Sequence, residues 1–225
     1  MSVDYVKCPF PWFGGKRDAA PAIWEALGDV DHYVEPFAGS LATLLLRPHI
    51  ANRTYYSETV NDMDGLLVNA WRAIQMSPDA TADAASWPVA EADLHARHLA
   101  LLRWRAEREL EHLMGDPLFH DPVMAGWWLW GQSSWIGGGW CAGEGPHHHT
   151  GARLFDVRQL PHLSAGQGIN RQLPHFGNAG RGINRQLPHF GDAGQGATPR
   201  REFIEAWFGA LAARLRDVRV ACGDW

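Results

Sequence analysis

The stretch Tyr33-Val34-Glu35-Pro36-Phe37-Ala38-Gly39-Ser40, running into Leu41-Ala42-Thr43-Leu44-Leu45-Leu46, constrains the fold more than any other. Tyr33 and Val34 suit a buried strand, and Glu35 stands at its carboxyl end. Pro36 cannot donate to a ladder, so the strand stops there. Gly39 permits a close backbone approach, and Ser40 reads as a helix N-cap before an apolar run. Strand, small-residue turn and helix together place free backbone N–H groups and an acid above the end of a parallel sheet. Ligands bind in that crevice in doubly wound folds. A plain strand–loop–helix unit is the competing reading, because the full Gly-x-Gly-x-x-Gly fingerprint is absent.

A second unit follows. Thr54-Tyr55-Tyr56-Ser57 is β-prone and leads to Asn61-Asp62-Met63-Asp64. Leu66, Leu67, Ala70, Trp71 and Ile74 then recur at helical spacing. Two β–α units in succession predict a parallel sheet. Near the end, Phe203, Ile204, Trp207, Phe208, Leu211 and Leu215 form a helical stripe after Thr198-Pro199. Val218 to Cys222 reads as a third strand, with Asp224 just past it. A helix over Arg17 to Leu27, with Ile23, Trp24 and Leu27 on one face, precedes the first strand.

Between the second and third strands the pattern loosens. Ser77 to Pro88 reads as a polar, Ala-rich connection. Glu91 to Met114 predicts one long helix or two short ones, anchored by Leu94, Leu101, Trp104 and Leu113. Gly115-Asp116-Pro117 breaks it, and Val123 to Trp130 predicts a buried helix. Gly131 to Gly145 reads as a loop. From about His147 to Gly196 a tandem repeat appears: residues 168–177 recur at 182–191, a step of fourteen, with a degenerate copy at 158–163. Units this short and rich in Gly and Pro suggest a duplicated loop.

Composition narrows the partners. The chain has 225 residues, fits one domain with an insertion, and has a net charge of −5 that does not by itself demand nucleic acid. The stretch around the repeat reverses that sign locally, because Arg153, Arg158, Arg171, Arg181, Arg185, Arg200 and Arg201 outnumber Asp156 and Asp192. Cys8, Cys141 and Cys222 lie far apart, make no zinc-type spacing, and predict reduced thiols in the cytoplasm. No signal peptide or membrane span is expected. His147, His148 and His149 cannot all face one ion, so no metal is expected.

Three strands thus end in acids: Glu35, Asp62 and Asp224. With Trp12-Phe13-Gly14-Gly15-Lys16 and Glu35-Pro36-Phe37-Ala38-Gly39, the chain resembles the Dam-type family of adenine-specific DNA methyltransferases. The resemblance implies an α/β, Rossmann-like methyltransferase sheet, partial in this chain, with strands 1 to 3 only. Residues 1–90 and 198–225 would form an S-adenosylmethionine-binding core. Residues 91–197 would form a helical and looped target-recognition insertion, with the repeat at 157–196. Trp12 and Lys16 would contact S-adenosylmethionine, Lys16 near its carboxylate. Phe37, Gly39 and Ser40 would line its methionine part, and Glu35 would make the crevice acidic. Asp62 would take the ribose hydroxyls and Asp224 the adenine amine, unless Asp62 merely caps the helix starting near Asp64. Where the family has a second small residue, Leu41 stands, which would narrow the space beside the cofactor.

The same resemblance implies double-stranded DNA as a partner. Gln132, Ser133 and Trp135 lie where the family places a DNA-facing loop, and Arg171 and Arg185 would reach the same side. A surface loop duplicated by replication slippage explains the repeat equally well. The family's Asp-Pro-Pro-Tyr loop, which holds the everted adenine, does not occur in these residues. Asp116-Pro117-Leu118-Phe119 imitates it but falls between helices, so no catalytic residue is assigned. In a sheet ordered 3-2-1-4-5 the strand carrying that loop pairs with the first. The chain is therefore expected to need a second polypeptide, or the rest of a longer product, to complete the enzyme. The alternatives are an inactive relic that binds cofactor or DNA, and a Rossmann-like domain of some other transferase.

Overall fold

The computed structural model describes residues 6–12, 14–28, 30–48, 56–107, 109–135, 140–141 and 197–224. Pro21, in the first turn, starts α1 (Ala20–Leu27) later than the periodicity implies, and its anchor is Trp24 while Leu27 is exposed. Then come β1 (His32–Glu35), the single turn α2 (Ala42–Leu45), β2 (Ser57–Asp62) and α3 (Gly65–Met76). Helices α4 (Pro78–Ala85), α5 (Glu91–Ala106), α6 (Glu109–Gly115) and α7 (Pro122–Ser134) follow. The long helix α8 (Ala197–Leu215) leads into β3 (Val218–Cys222). The repeat, Arg171, Arg185 and the three consecutive histidines lie outside the described residues.

Among the described residues the strands form one parallel sheet in the order β1-β2-β3. His32 pairs with Ser57 and Glu35 with Val60, while Glu58 pairs with Val218 and Asp62 with Cys222. Of the β-prone run, Thr54 and Tyr55 lie outside the described residues, and among the described ones the strand starts at Ser57, opposite His32. β1 pairs on one side only, so its other edge is open among the described residues. It is also half-covered rather than buried. Tyr33 packs on Trp24 at 4.9 Å between ring centroids, whereas Val34 points to the opposite face and is exposed.

Two further expectations change, and a third is narrowed to one of its two forms. Ser77 to Pro88 is not a plain connection: Pro78 occupies the first turn of α4, whose alanines let it lie close against other helices. The crossing with α7 is tight. A Cβ on Gly126 would come within 2.4 Å of Ala84 Cβ and 2.7 Å of the Thr81 carbonyl oxygen. Gly126→Ala should therefore lower unfolding stability by about 1–3 kcal/mol, read by urea denaturation, because α4 must be pushed off α7. A change within a few tenths of a kcal/mol would show the crossing to be slack.

Helix α7 also runs past Gly131, so Gln132, Ser133 and Ser134 are helical rather than looped. Burial of Ser133 and Ser134 overrides the weak helix preference of Gly and Ser. Finally, the region 91–114 forms two helices, and all four expected anchors are buried.

One hydrophobic cluster joins sheet and helices, with Trp71, Trp128, Leu101, Leu113 and Phe208 in it. Arg72 crosses this core. Its Nε donates to the Val220 carbonyl at 3.0 Å, and its Nη1 donates to the carbonyls of Asp116 at 2.9 Å and Phe119 at 3.2 Å. It thereby ties β3 to the turn between α6 and α7. In that turn the Asp116 carboxylate accepts the Leu118 N–H at 2.8 Å, a local role that suits a structural turn.

Candidate cofactor-binding crevice

The carboxyl ends of the three strands are held together by one side chain that sequence reading missed. Asn61, on β2 and 5% exposed, donates from Nδ2 to the Gly223 carbonyl at 2.9 Å and the Pro36 carbonyl at 3.3 Å. The Asn61 backbone carbonyl accepts the Ala38 N–H at 2.8 Å. The chain leaving β1 and the chain leaving β3 are thus pinned to β2. Nothing in the local pattern marks Asn61, since its partners are 25 and 162 residues away.

Asp62 fixes the turn after β1. Its Oδ2 accepts the Gly39 N–H at 3.1 Å, and its Oδ1 accepts the Asp64 N–H at 3.0 Å. Asp62 is not the cap of α3. That role belongs to Asp64, which accepts the N–H groups of Leu66 at 3.0 Å and Leu67 at 3.4 Å. A carboxylate has about four acceptor sites, so Asp62 keeps acceptor capacity for a ligand. From below, Trp71 Nε1 donates to the Gly39 carbonyl at 2.9 Å. From the front, the Trp12 indole lies so near that a Cβ on Gly39 would meet Trp12 Nε1 at 2.7 Å. Gly39 also has φ 47°, in the left-handed region.

Ser40 is buried and does not cap α2; Leu41 is the cap residue, with no side-chain hydrogen bond. Leu41 takes φ 51° and is fully buried in the core. It therefore does not narrow the crevice, contrary to expectation: turning left-handed aims its side chain inward. The strain is of the order of 1 kcal/mol.

Trp12, Gly14, Gly15, Lys16, Glu35, Phe37, Ala38, Gly39, Ser40 and Ala42 line a narrow crevice of about 40 Å³. The Trp-Phe-Gly-Gly-Lys loop and the turn after β1 thus meet, as expected from their sequence. Phe37 stands at 73% exposure on this lining. Asp224 is exposed just beyond β3. Gln132 and Trp135 are half-buried at the end of α7, with the Trp135 ring stacked on His98 at 5.0 Å.

Glu35 is the crevice's perturbed acid. It is 7% exposed, and burial pushes its carboxyl up from 4.5 to about 6. The Tyr33 hydroxyl, which donates to Glu35 Oε2 at 3.2 Å, and the Lys16 charge act against that rise. Because the folded chain holds this proton more tightly than the unfolded one, protonated Glu35 favours folding below pH 4.5. That contribution is lost as pH rises from 4.5 through about 6. Glu35→Gln should remove that loss, gaining about 2 kcal/mol at pH 7 relative to pH 4 against wild type. Denaturation at the two pH values checks it; parallel pH dependences in both proteins would refute it.

A buried acid, a lysine, a glycine turn and a strand-end aspartate form a donor and acceptor set suited to a zwitterionic, hydroxyl-bearing cation. No curated protein gives a significant match to this chain. The family model for D12 class N6 adenine-specific DNA methyltransferase matches residues 12–95, from Trp12 through both glycine turns, β1, β2, α3 and α4. The part of the chain that builds the crevice is thus similar to that family of adenine-specific DNA-methylating enzymes.

Proposed function

We propose that this chain is the cofactor-binding part of an adenine-N6 DNA methyltransferase with a Rossmann-like sheet. The observation that carries this reading is the clamp of Asp62 on the Gly39 N–H at the ends of two adjacent parallel strands. S-adenosylmethionine, when bound, supplies the methyl group. Asp62 would accept its ribose hydroxyls with the acceptor capacity that Gly39 and Asp64 leave over. Lys16 would pair with its carboxylate, and Trp12, Phe37 and Ser40 would enclose its methionine part. Asp224 would accept from the adenine amine. Glu35, ionised above about pH 6, would favour the cationic end of the ligand. The crevice is well below the roughly 300–1,000 Å³ usual for such ligands, so the exposed Phe37 would have to move on binding.

The reacting adenine would be gripped by an Asp-Pro-Pro-Tyr loop from outside these 225 residues, on a strand laid against the open edge of β1. The remainder of a longer product, or a second polypeptide, would supply it. Double-stranded DNA would be contacted through Gln132, Trp135, Arg171 and Arg185, whereas Ser133 is buried on α7 and is withdrawn from that set.

Calorimetry with S-adenosylmethionine tests the first half. One site is expected, weakened about 10-fold or more by Asp62→Ala. Failure to bind it, with tight binding of a different nucleotide, would favour another transferase. A labelled-methyl assay on duplex DNA tests the second half. No transfer is expected from the 225 residues alone, and transfer once the complement with the loop is added. Cofactor binding without transfer even then would mark an inactive relic.

A further inference from the structure

A second cavity, of about 660 Å³, opens between α4, α5, α7 and the segment joining α4 to α5. Its walls include Ala84, Ala96 and Val123 and the indoles of Trp87 and Trp127. Its charge comes from Asp83, Asp93 and Arg97. Arg201 engages Asp83 in an ion pair from α8. Arg97 is the unusual member. It is 8% exposed, and its guanidinium lies 4.2 Å from the Trp130 ring centroid, 5.5 Å from Trp127 and 5.6 Å from Trp87. Its Nη1 is buried without a hydrogen-bond partner among the described residues. A buried cation whose N–H groups lack acceptors is costly.

The nearest acid acts on Arg97 only through space, without a direct ion pair among the described residues. Asp93 is one turn back on α5, at the spacing where acid and base usually pair. The guanidinium instead lies over Trp130. An acid and a base are thus held on one helix face, one turn apart and unjoined, at the lining of an apolar cavity. An anion alone would meet Arg97 but be repelled by Asp93, and a cation would fare the other way. A DNA phosphate is disfavoured by both aspartates. We propose that this cavity binds a free α-amino acid with a large apolar side chain, its carboxylate on Arg97, its ammonium on Asp93 and its side chain against Trp87 and Trp127.

The volume falls within the range of small-molecule sites. The wall that must yield is Trp87. Its side chain is 57% exposed, while its backbone carbonyl is held by Trp130 Nε1 at 2.7 Å. The exposed ring would turn to admit the ligand and pack on its side chain without moving the backbone.

The test titrates the full chain with three probes: L-phenylalanine, N-acetyl-L-phenylalanine and phenethylamine. Binding is read by calorimetry and by tryptophan fluorescence. L-phenylalanine should bind, and each probe lacking one charge should bind about 10-fold or more weakly, the range of a lost charged hydrogen bond. Asp93→Asn, at a partly exposed position that leaves the core intact, should weaken L-phenylalanine about 10-fold and leave the N-acetyl compound unchanged. Affinity for S-adenosylmethionine should be the same in both proteins, which separates this site from the crevice. Equal binding of all three probes, no L-phenylalanine binding up to about 10 mM, or an Asp93→Asn protein that binds it normally would each overturn the proposal.

Discussion

Glu58→Ala should destabilise the protein by about 3–5 kcal/mol, the largest loss expected from a single truncation outside the hydrophobic core. Glu58 sits on β2 at 4% exposure. Its Oε1 accepts Arg47 Nη1 at 3.0 Å and Arg214 Nη2 at 2.8 Å, and its Oε2 accepts Arg214 Nη1 at 2.8 Å. Arg214 Nη2 also donates to the Leu44 carbonyl at 2.9 Å, and Arg47 donates to the Val30 carbonyl. One carboxylate therefore joins β2, the end of α2 and the last turn of α8. Arg47 is further buried beneath Trp24 and Tyr33, at 5.2 and 5.9 Å from their centroids. Removing Glu58 would leave two guanidinium groups beside each other without their anion. The cost is that stranded charge rather than the intrinsic worth of the ion pairs. Urea denaturation at pH 7 measures it. A loss under about 1 kcal/mol would mean that water reaches Arg47 and Arg214 in Glu58's place.

Gly39→Val should lower affinity for S-adenosylmethionine by about 100-fold or more while the chain still folds. Two separate effects oppose the new side chain. The Cβ would stand 2.7 Å from Trp12 Nε1 and 3.1 Å from Trp12 Cδ1. The indole must then leave the crevice lining. A β-branched residue at φ 47° is also strained, and relief of that strain would rotate the N–H away from Asp62. Both effects disturb groups proposed to hold the cofactor. Titration of the folded variant reads the outcome, with circular dichroism as the check on folding. Unchanged affinity would place the cofactor elsewhere. Wild-type-like affinity only after Trp12→Ala is added would assign the whole effect to the indole.

The sheet was legible in the residues because its signals are local. Acids at Glu35 and Asp62, each after a short β-prone run, marked two strand ends, and Val218 to Cys222 marked a third. Helical periodicity identified α3 and α8, and an all-round apolar run identified α7. The N-terminal Gly-Gly-Lys loop and the Glu-Pro-Phe-Ala-Gly turn identified the crevice that the structure assembles from them. Caps were read less well. Asp64 and Asp121 cap α3 and α7, and in α2 a left-handed Leu41 displaces the expected Ser40. A four-residue helix is too short for its own hydrogen bonds to decide its start; the buried Leu41 side chain decides it.

What tertiary packing alone decided is the set of contacts between segments far apart in the chain. Val34 is exposed because nothing described lies over its face of β1, a fact invisible in the alternation of the strand. Pro78–Ala85 is helical because Ala84 packs on Gly126 of α7. Asn61, Glu58 with its two arginines, and Arg72 look in isolation like solvated polar residues. They are buried, Arg214 only partly, and their partners range from 11 to 162 residues away. Local chemistry chooses where a strand ends and which turn follows it. Burial of charge and amide groups depends on what the rest of the chain brings alongside, and only the folded molecule specifies that neighbour.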